Sequence, residues 1–273
     1  MRLYLVLFLA IFLRVADSKA ELPEASYYKG TLGKSTIIWM KLYESLDPKN
    51  KGVIEGSYYY QKYKMPILLE GKSKDKQTLV LEENGGVGVF NLQSTSKADL
   101  SGTWKKFDKK GLEVKLEKTK LNAFLDATAL SSQRLETEYK RTCDSDGKTP
   151  SVRLIREPDL NGDSIEELSI ACEAACGATG NCPYVFYLSH GKNLFSYAGD
   201  ASGVGRIAQK EKHYGMPDLN VHWKGGCAGM EGTGTILEFD GSEYRDTGKH
   251  YKCDCDAAKQ KNRSKYCPKD GSF

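Results

Sequence analysis

The chain has 273 residues, and its 40 Lys and Arg against 36 Asp and Glu give a formal net charge of +4 at pH 7. This near balance lacks the excess of positive charge with which nucleic-acid-binding proteins neutralise phosphates, so no nucleic-acid partner is expected. The length allows two ordinary domains with a core in each. The 16 tyrosines against 8 prolines favour strands over a disordered stalk.

The first 20 residues have the pattern of a cleavable signal peptide. Arg2 precedes an apolar run over residues 3–13, and the small residues Ser18 and Ala20 follow. The run is shorter than the ~20 apolar residues of a membrane span, and no later stretch approaches that length. We therefore expect cleavage after Ala20 and a secreted or periplasmic chain without a membrane span.

Residues 21–118 consist of short, roughly alternating apolar segments separated by turns. Strands are predicted at 36–42, 53–60, 67–71, 78–83, 87–92, 100–104 and 112–116. A spacing of about ten residues between successive strands predicts an antiparallel meander that forms a barrel or a sandwich.

Four short motifs recur along these strands. They are Gly56-Ser57-Tyr58-Tyr59-Tyr60, Leu69-Glu70-Gly71, Gly88-Val89-Phe90 and Leu100-Ser101-Gly102-Thr103-Trp104. This succession resembles a module of uncharacterised exported bacterial proteins that carries G-x-Y-x-Y, an apolar-Gly strand, Gly-x-Phe and Leu-x-Gly-x-Trp in that order. The resemblance implies a β-rich fold and an exported protein, but it implies no activity.

The alternating apolar pattern ends after residue 118. Residues 119–142 are predicted as a linking or helical segment. A second, disulfide-linked β-rich module is predicted over residues 143–252, with strands at 152–155, 168–172, 184–188 and 234–241. A polar tail held by cysteines follows over residues 253–273. The predicted fold class is therefore mainly β throughout.

One acidic loop in the second module places oxygen-bearing residues at alternate positions, which suits a hard cation such as Ca²⁺. The predicted ligands are Asp159, Asn161, Asp163, the carbonyl of Ile165, and Glu167.

An EF-hand is excluded because its closing carboxylate would have to be Ile170. The loop instead resembles the calcium loops of FG-GAP and VCBS-type repeats, in which the ninth position, here Glu167, closes the shell just before a strand. Those loops favour Gly at the sixth position, where this chain has Ser164, so calcium binding requires a positive φ at a residue that resists it. The alternative is an Asx turn that binds no metal.

Eight cysteines in an exported chain predict disulfides. They are Cys143, Cys172, Cys176, Cys182, Cys227, Cys253, Cys255 and Cys267. Cys176 is expected to pair with Cys182, because glycines between them let the loop fold back, and either Cys253 or Cys255 is expected to pair with Cys267. A zinc site built from these cysteines is not expected, since no C-x2-C pair is present and histidines are few.

The nucleophile, phosphate-loop and zinc-helix motifs of common enzymes are absent, so we expect a non-enzymatic protein. The favoured function is binding of an extracellular or envelope protein or glycan. One alternative is a periplasmic inhibitor of a cell-wall hydrolase such as lysozyme, since Gly241-Ser242-Glu243-Tyr244 is similar to the loops of such inhibitors. A hydrolase with an unrecognised site is a further alternative.

Overall fold

The computed structural model describes residues 24–75, 77–95, 98–107, 109–143, 152–226 and 231–254. The predicted signal peptide and nearly all of the predicted tail lie outside these residues. Among the described residues, no helix has the length and apolar character needed to cross a membrane. The fold is mainly β, as the sequence predicted.

The N-terminal module is a closed barrel of eight antiparallel strands, each paired with its neighbours in sequence, with the last strand paired to the first. The strands are β1 Ser26–Leu32, β2 Thr36–Glu44, β3 Val53–Tyr60, β4 Ile67–Ser73, β5 Thr78–Glu83, β6 Gly88–Ser94, β7 Leu100–Lys106 and β8 Leu112–Thr119. The sequence missed β1, because its Ser-Tyr-Tyr-Lys-Gly-Thr-Leu segment has only one aliphatic residue.

The barrel interior is filled by side chains that alternate along each strand, because successive residues of a strand point to opposite faces. The most deeply buried of them are Ile38, Met40, Tyr58, Leu81, Phe90, Leu92, Val114 and Leu116. Two motif glycines permit close approach of neighbouring strands. A Cβ on Gly56 would lie 2.0 Å from the Lys41 carbonyl oxygen, and one on Gly102 would lie 1.9 Å from that of Asn91.

The remaining motif residues meet at one buried glutamate. Glu83 Oε1 accepts hydrogen bonds from Tyr58 Oη at 2.6 Å and from Trp104 Nε1 at 2.7 Å. Gly88 makes room for this group, since a Cβ there would lie 2.5 Å from Trp104 Nε1. The tyrosine, glycine and tryptophan of the motifs therefore have a structural explanation within the barrel.

The segment predicted as a linker contains α1 Leu121–Thr128, the short strand β9 Leu130–Ser131, and α2 Ser132–Cys143. Phe124 of α1 packs against Tyr27 and Tyr59 on the outside of the barrel, with ring centroids 5.2 and 5.4 Å apart. β9 adds a strand to the second module. The segment thus belongs to the packing of both modules.

The second module consists of two antiparallel sheets. Its further strands are β10 Val152–Arg156, β11 Leu168–Cys172, β12 Cys182–Ser189, β13 Leu194–Gly203, β14 Gly205–His213, β15 Met216–Lys224, β16 Gly232–Phe239 and β17 Tyr244–Cys253. One sheet has the order β10-β11-β12-β13-β9 and the other β14-β15-β16-β17. A shared apolar core, including Phe186, Leu219 and Phe239, lies between them, so the module is a sandwich.

Candidate functional site

The two modules meet at a buried lysine. Lys41 lies on β2 between Met40 and Leu42; these two neighbours belong to the barrel core, so Lys41 points outward. Its side chain is nevertheless only 1% exposed, because the turn between β16 and β17 covers it.

Lys41 Nζ meets three groups of that turn. It lies 2.9 Å from Asp240 Oδ2 and 3.1 Å from Glu243 Oε1, and it donates to Ser242 Oγ at 2.5 Å. Tyr27 of the barrel also donates to Ser242 Oγ, at 3.1 Å. Asp240 in turn accepts from the backbone N–H groups of Ser242 and Glu243 at 2.9 Å each, which fixes the turn that carries all three side chains.

A second cation completes this cluster. Arg245 Nη1 lies 3.5 Å from Asp240 Oδ2, and its guanidinium stacks on the Tyr43 ring at 3.7 Å. Burial alone would raise the pKa of Asp240, but the charge of Lys41 lowers it below its usual value. Burial raises the pKa of Glu243, and Lys41 offsets only part of that rise. We call Lys41, Asp240, Glu243 and Arg245 the junction cluster; it contributes two cations and two carboxylates.

A cleft of about 1020 Å³ opens beside the junction cluster, between β3–β5 of the barrel and β13, β15, β16 and β17 of the sandwich. Tyr43, Glu243 and Arg245 form part of its lining. Five further carboxylates face it, against the two lysines Lys72 and Lys74. The five are Glu55, Glu70, Glu82, Asp200 and Asp246; the carboxylate of a sixth acidic residue of the lining, Glu83, is hydrogen-bonded to Tyr58 and Trp104. This inter-module cleft therefore has an acidic lining.

The predicted calcium ligands do not converge in this structure. Asp159 accepts from the backbone N–H groups of Gly162, Asp163 and Ser164 at 2.7–3.1 Å. Asp163 accepts from the Asn161 amide and from the Ile165 N–H. The loop is thus closed by its own Asx hydrogen bonds.

Two features of the loop bear on the calcium prediction. Ser164 has φ 67°, which is the conformation that a calcium loop requires at this position. Glu167, however, is 2% exposed and lines a cavity of about 130 Å³ inside the sandwich, next to Phe186 and Tyr244. The backbone of the loop fits the resemblance, and the Glu167 carboxylate lies near enough to Asp159 and Asp163 for their charges to raise its pKa.

Glu167 is electrostatically unusual. Neither carboxylate oxygen has a hydrogen-bond partner of normal geometry. Burial raises the pKa of Glu167 to about 7, and the negative charges of Asp163 and Asp159 add to this rise, while the Ser189 backbone N–H opposes it.

The described cysteines are disulfide-bonded. Cys176 pairs with Cys182, as the loop glycines predicted, and Cys143 pairs with Cys172. The second bridge ties the end of α2 to β11. Cys253 is also in a disulfide. The other three predicted disulfide cysteines, Cys227, Cys255 and Cys267, lie outside the described residues.

The residues that suggested a hydrolase inhibitor belong to the junction. Ser242, Glu243 and Tyr244 are each at most 5% exposed. Ser242 and Glu243 contact Lys41 of the barrel, and Tyr244 packs in the sandwich core. The residues around Lys41 do not reveal its partner Asp240, which lies 199 residues away. The local signal was a lysine inside the apolar run of β2.

Comparisons with protein-family models, curated proteins and solved structures found no match for this chain.

Proposed function

We propose that the chain is an exported, non-enzymatic binding protein that holds its ligand in the inter-module cleft. The observation that supports this proposal is a cleft of about 1020 Å³ whose two walls are joined by a buried ion cluster. Ligand sites are typically preformed concavities at the boundary between domains. A fixed boundary lowers the entropic cost of ordering the site when the ligand binds.

The lining favours a positively charged ligand. Five carboxylates face the cleft against two lysines, apart from the charges already paired in the junction cluster. Such an excess attracts cationic groups and raises the association rate at low salt. A basic segment of an extracellular or envelope protein therefore suits the cleft better than a neutral glycan.

The exported location is supported by the disulfides, which persist in oxidising compartments. Calcium belongs to the proposal as a stabiliser of the acidic loop rather than as part of the cleft. Its support is the positive φ of Ser164, and Glu167 would have to turn toward the loop for the shell to close.

Arrays of peptides and glycans, probed with the chain lacking residues 1–20, test the proposal. Lysine-rich and arginine-rich peptides should bind, and binding should weaken as salt is raised. The double variant Glu70→Gln, Glu82→Gln should bind at least tenfold more weakly. The matched control is Glu113→Gln, Glu117→Gln on β8, which changes two exposed carboxylates outside the cleft and should leave binding intact.

Equal loss in both double variants would show that the whole surface, and not the cleft, attracts the peptides. Binding to neutral glycans that the cleft variant leaves unchanged would also contradict the proposal.

A further inference from the structure

The outer face of the second sheet of the sandwich carries buried polar groups. Along β15, Leu219 and Val221 face the sandwich core, while Asp218, Asn220 and His222 alternate with them and point to the other side. All three polar residues are buried. Buried polar side chains at every second position of a central strand indicate a binding site on that face of the sheet.

Three side chains with metal-binding atoms meet on this face. His213 ends β14, Asp218 lies early in β15, and Glu238 lies on β16. His213 Nδ1 is 2.6 Å from Asp218 Oδ1, and His213 Nε2 is 3.6 Å from Glu238 Oε2. Among the described residues, this is the one group of three or more His, Cys, Asp or Glu whose ligand atoms lie within 4.8 Å of one another.

The two distances imply different roles for the two carboxylates. The Asp218 contact is a hydrogen bond to Nδ1, so Nε2 is the ring nitrogen that faces Glu238 and is available to a metal ion. The gap between Nε2 and Glu238 Oε2 is too long for a hydrogen bond. Two ligands bound about 2.0–2.2 Å from one tetrahedral ion are themselves roughly 3.4 Å apart, which is close to the observed 3.6 Å.

Burial adds to the need for a cation at this point. Asp218 and Glu238 are 4% and 5% exposed, and burying carboxylates is costly unless they are paired. The ammonium of Lys249 contacts Glu238, but the Lys249 side chain is 65% exposed, so it can move into solvent when another cation arrives. A concavity of about 330 Å³, lined in part by Asp218, Lys249 and Tyr251, lies beside the group and leaves room for further ligands.

We propose that His213 Nε2 and Glu238 bind a divalent first-row transition ion of the zinc class, with Asp218 orienting the imidazole through Nδ1. A carboxylate that holds a metal-binding histidine in this way is a common arrangement. An imidazole ligand favours zinc over calcium, which prefers an all-oxygen shell. Water or an exogenous ligand completes the coordination from the concavity.

Zinc chloride titrated into the chain lacking residues 1–20 tests the site by calorimetry. The protein is first treated with chelator, dialysed, and shown to be free of thiols, so that cysteines cannot bind the metal. We expect one zinc ion per chain and a tetrahedral absorption spectrum when cobalt replaces zinc. His213→Gln and Glu238→Gln should each weaken zinc binding at least tenfold, and Asp218→Asn should weaken it by about 10–100-fold.

The matched control is His190→Gln, just after β12, because His190 is exposed and lies outside both the group of three and the concavity. It should leave zinc affinity unchanged. Zinc binding that survives both His213→Gln and Glu238→Gln, or that is weaker than millimolar in the unmodified chain, would overturn the proposal.

A measurement on the unmodified chain avoids any dependence on folding of the variants. Diethyl pyrocarbonate modifies accessible imidazoles, and peptide mass spectrometry locates the product. Zinc should protect His213 at least tenfold while His190, which lies outside the concavity, stays reactive. Equal reactivity of His213 with and without zinc, or equal protection of both histidines, would overturn the assignment.

Discussion

Glu83 of the barrel and Glu167 of the sandwich are both buried, and they are held in opposite ways. Glu83 in the barrel is 6% exposed and accepts hydrogen bonds from a tyrosine and a tryptophan. Glu167 in the sandwich is 2% exposed, has no partner of normal geometry, and has a pKa raised to about 7. The barrel therefore satisfies its buried carboxylate, whereas the sandwich tolerates a destabilising one. Locally unfavourable groups tend to lie at functional sites.

The largest expected loss of stability comes from leaving the buried carboxylates of the junction cluster without their cation. Lys41→Met leaves Asp240 and Glu243 without their main cation, and removing one partner from a buried ion pair costs about 3–5 kcal/mol of unfolding free energy. Urea denaturation measures the loss. Lys29→Met is the control, because Lys29 lies on the same outer face but is exposed; equal effects of the two substitutions would contradict the role of the junction cluster.

Removing the satisfied glutamate should cost less. Glu83→Leu leaves the Tyr58 hydroxyl and the Trp104 N–H without their acceptor, for an expected loss of about 2–3 kcal/mol. Glu117→Leu on the exposed surface of β8 controls for the change of residue type. In a double-mutant cycle, Tyr58→Phe should cost less in the Glu83→Leu background than alone. Additive losses would show that the hydrogen bond contributes nothing.

The unsatisfied Glu167 predicts that the stability of the chain falls as pH rises. The pKa of Glu167 is raised from 4.5 to about 7 on folding, so the folded chain binds this proton more tightly than the unfolded chain. Stability should therefore fall as pH rises from about 4.5 to 7, by about 2–3 kcal/mol, and the whole penalty is present above pH 7.

Glu167→Gln removes that penalty. In the presence of chelator, the variant should be more stable than the unmodified chain at pH 8 and similar to it at pH 4.5, as measured by urea denaturation. A difference between the two proteins that does not vary with pH would refute the assignment of the titration to Glu167.

The smallest expected effect is that of calcium on the acidic loop. An Asx turn of the barrel serves as its control. Asp75 of the barrel accepts from the backbone N–H groups of Gln77 and Thr78, much as Asp159 does in the acidic loop. If the acidic loop binds calcium with a Kd of ~10⁻⁴–10⁻³ M, as is typical of extracellular modules, about 1 mM calcium should raise the melting temperature through a gain of about 0.4–1.4 kcal/mol.

Asp163→Ala should abolish the calcium effect, and Asp75→Ala should preserve it. Ser164→Gly should tighten binding, because glycine adopts the observed positive φ without strain. A melting temperature that responds to neither calcium nor chelator would leave the acidic loop as a turn without a metal.

The sequence predicted strands best where apolar runs end in clear turns. β3, β5 and β11 begin and end at the predicted residues. β14 and β17 were missed because charged residues such as Lys210, Glu211 and Asp246 interrupt their apolar pattern. These strands are stabilised by pairing and by the polar outer face of their sheet, neither of which a local hydrophobic pattern records.

The candidate sites depend on contacts between distant residues. The positive φ of Ser164 is a local property of the loop, and it is the conformation that the resemblance to calcium loops requires. The inward direction of Glu167 depends on how the two sheets pack, and the burial of Lys41 depends on a turn 199 residues away. Spacing within a segment therefore predicted the shape of the loop but not the environment of its last carboxylate.

The position of the junction cluster also predicts an order of events during folding. All strand pairs of the barrel except its closure join neighbours in sequence, so the barrel can form as soon as β8 has been synthesised. At that stage Lys41 lies on its surface and is hydrated. The turn that covers it is made much later, and contacts between such distant residues form slowly. Docking of this turn dehydrates Lys41, Asp240 and Glu243 together, so we expect the cleft between the modules to form only when the turn docks.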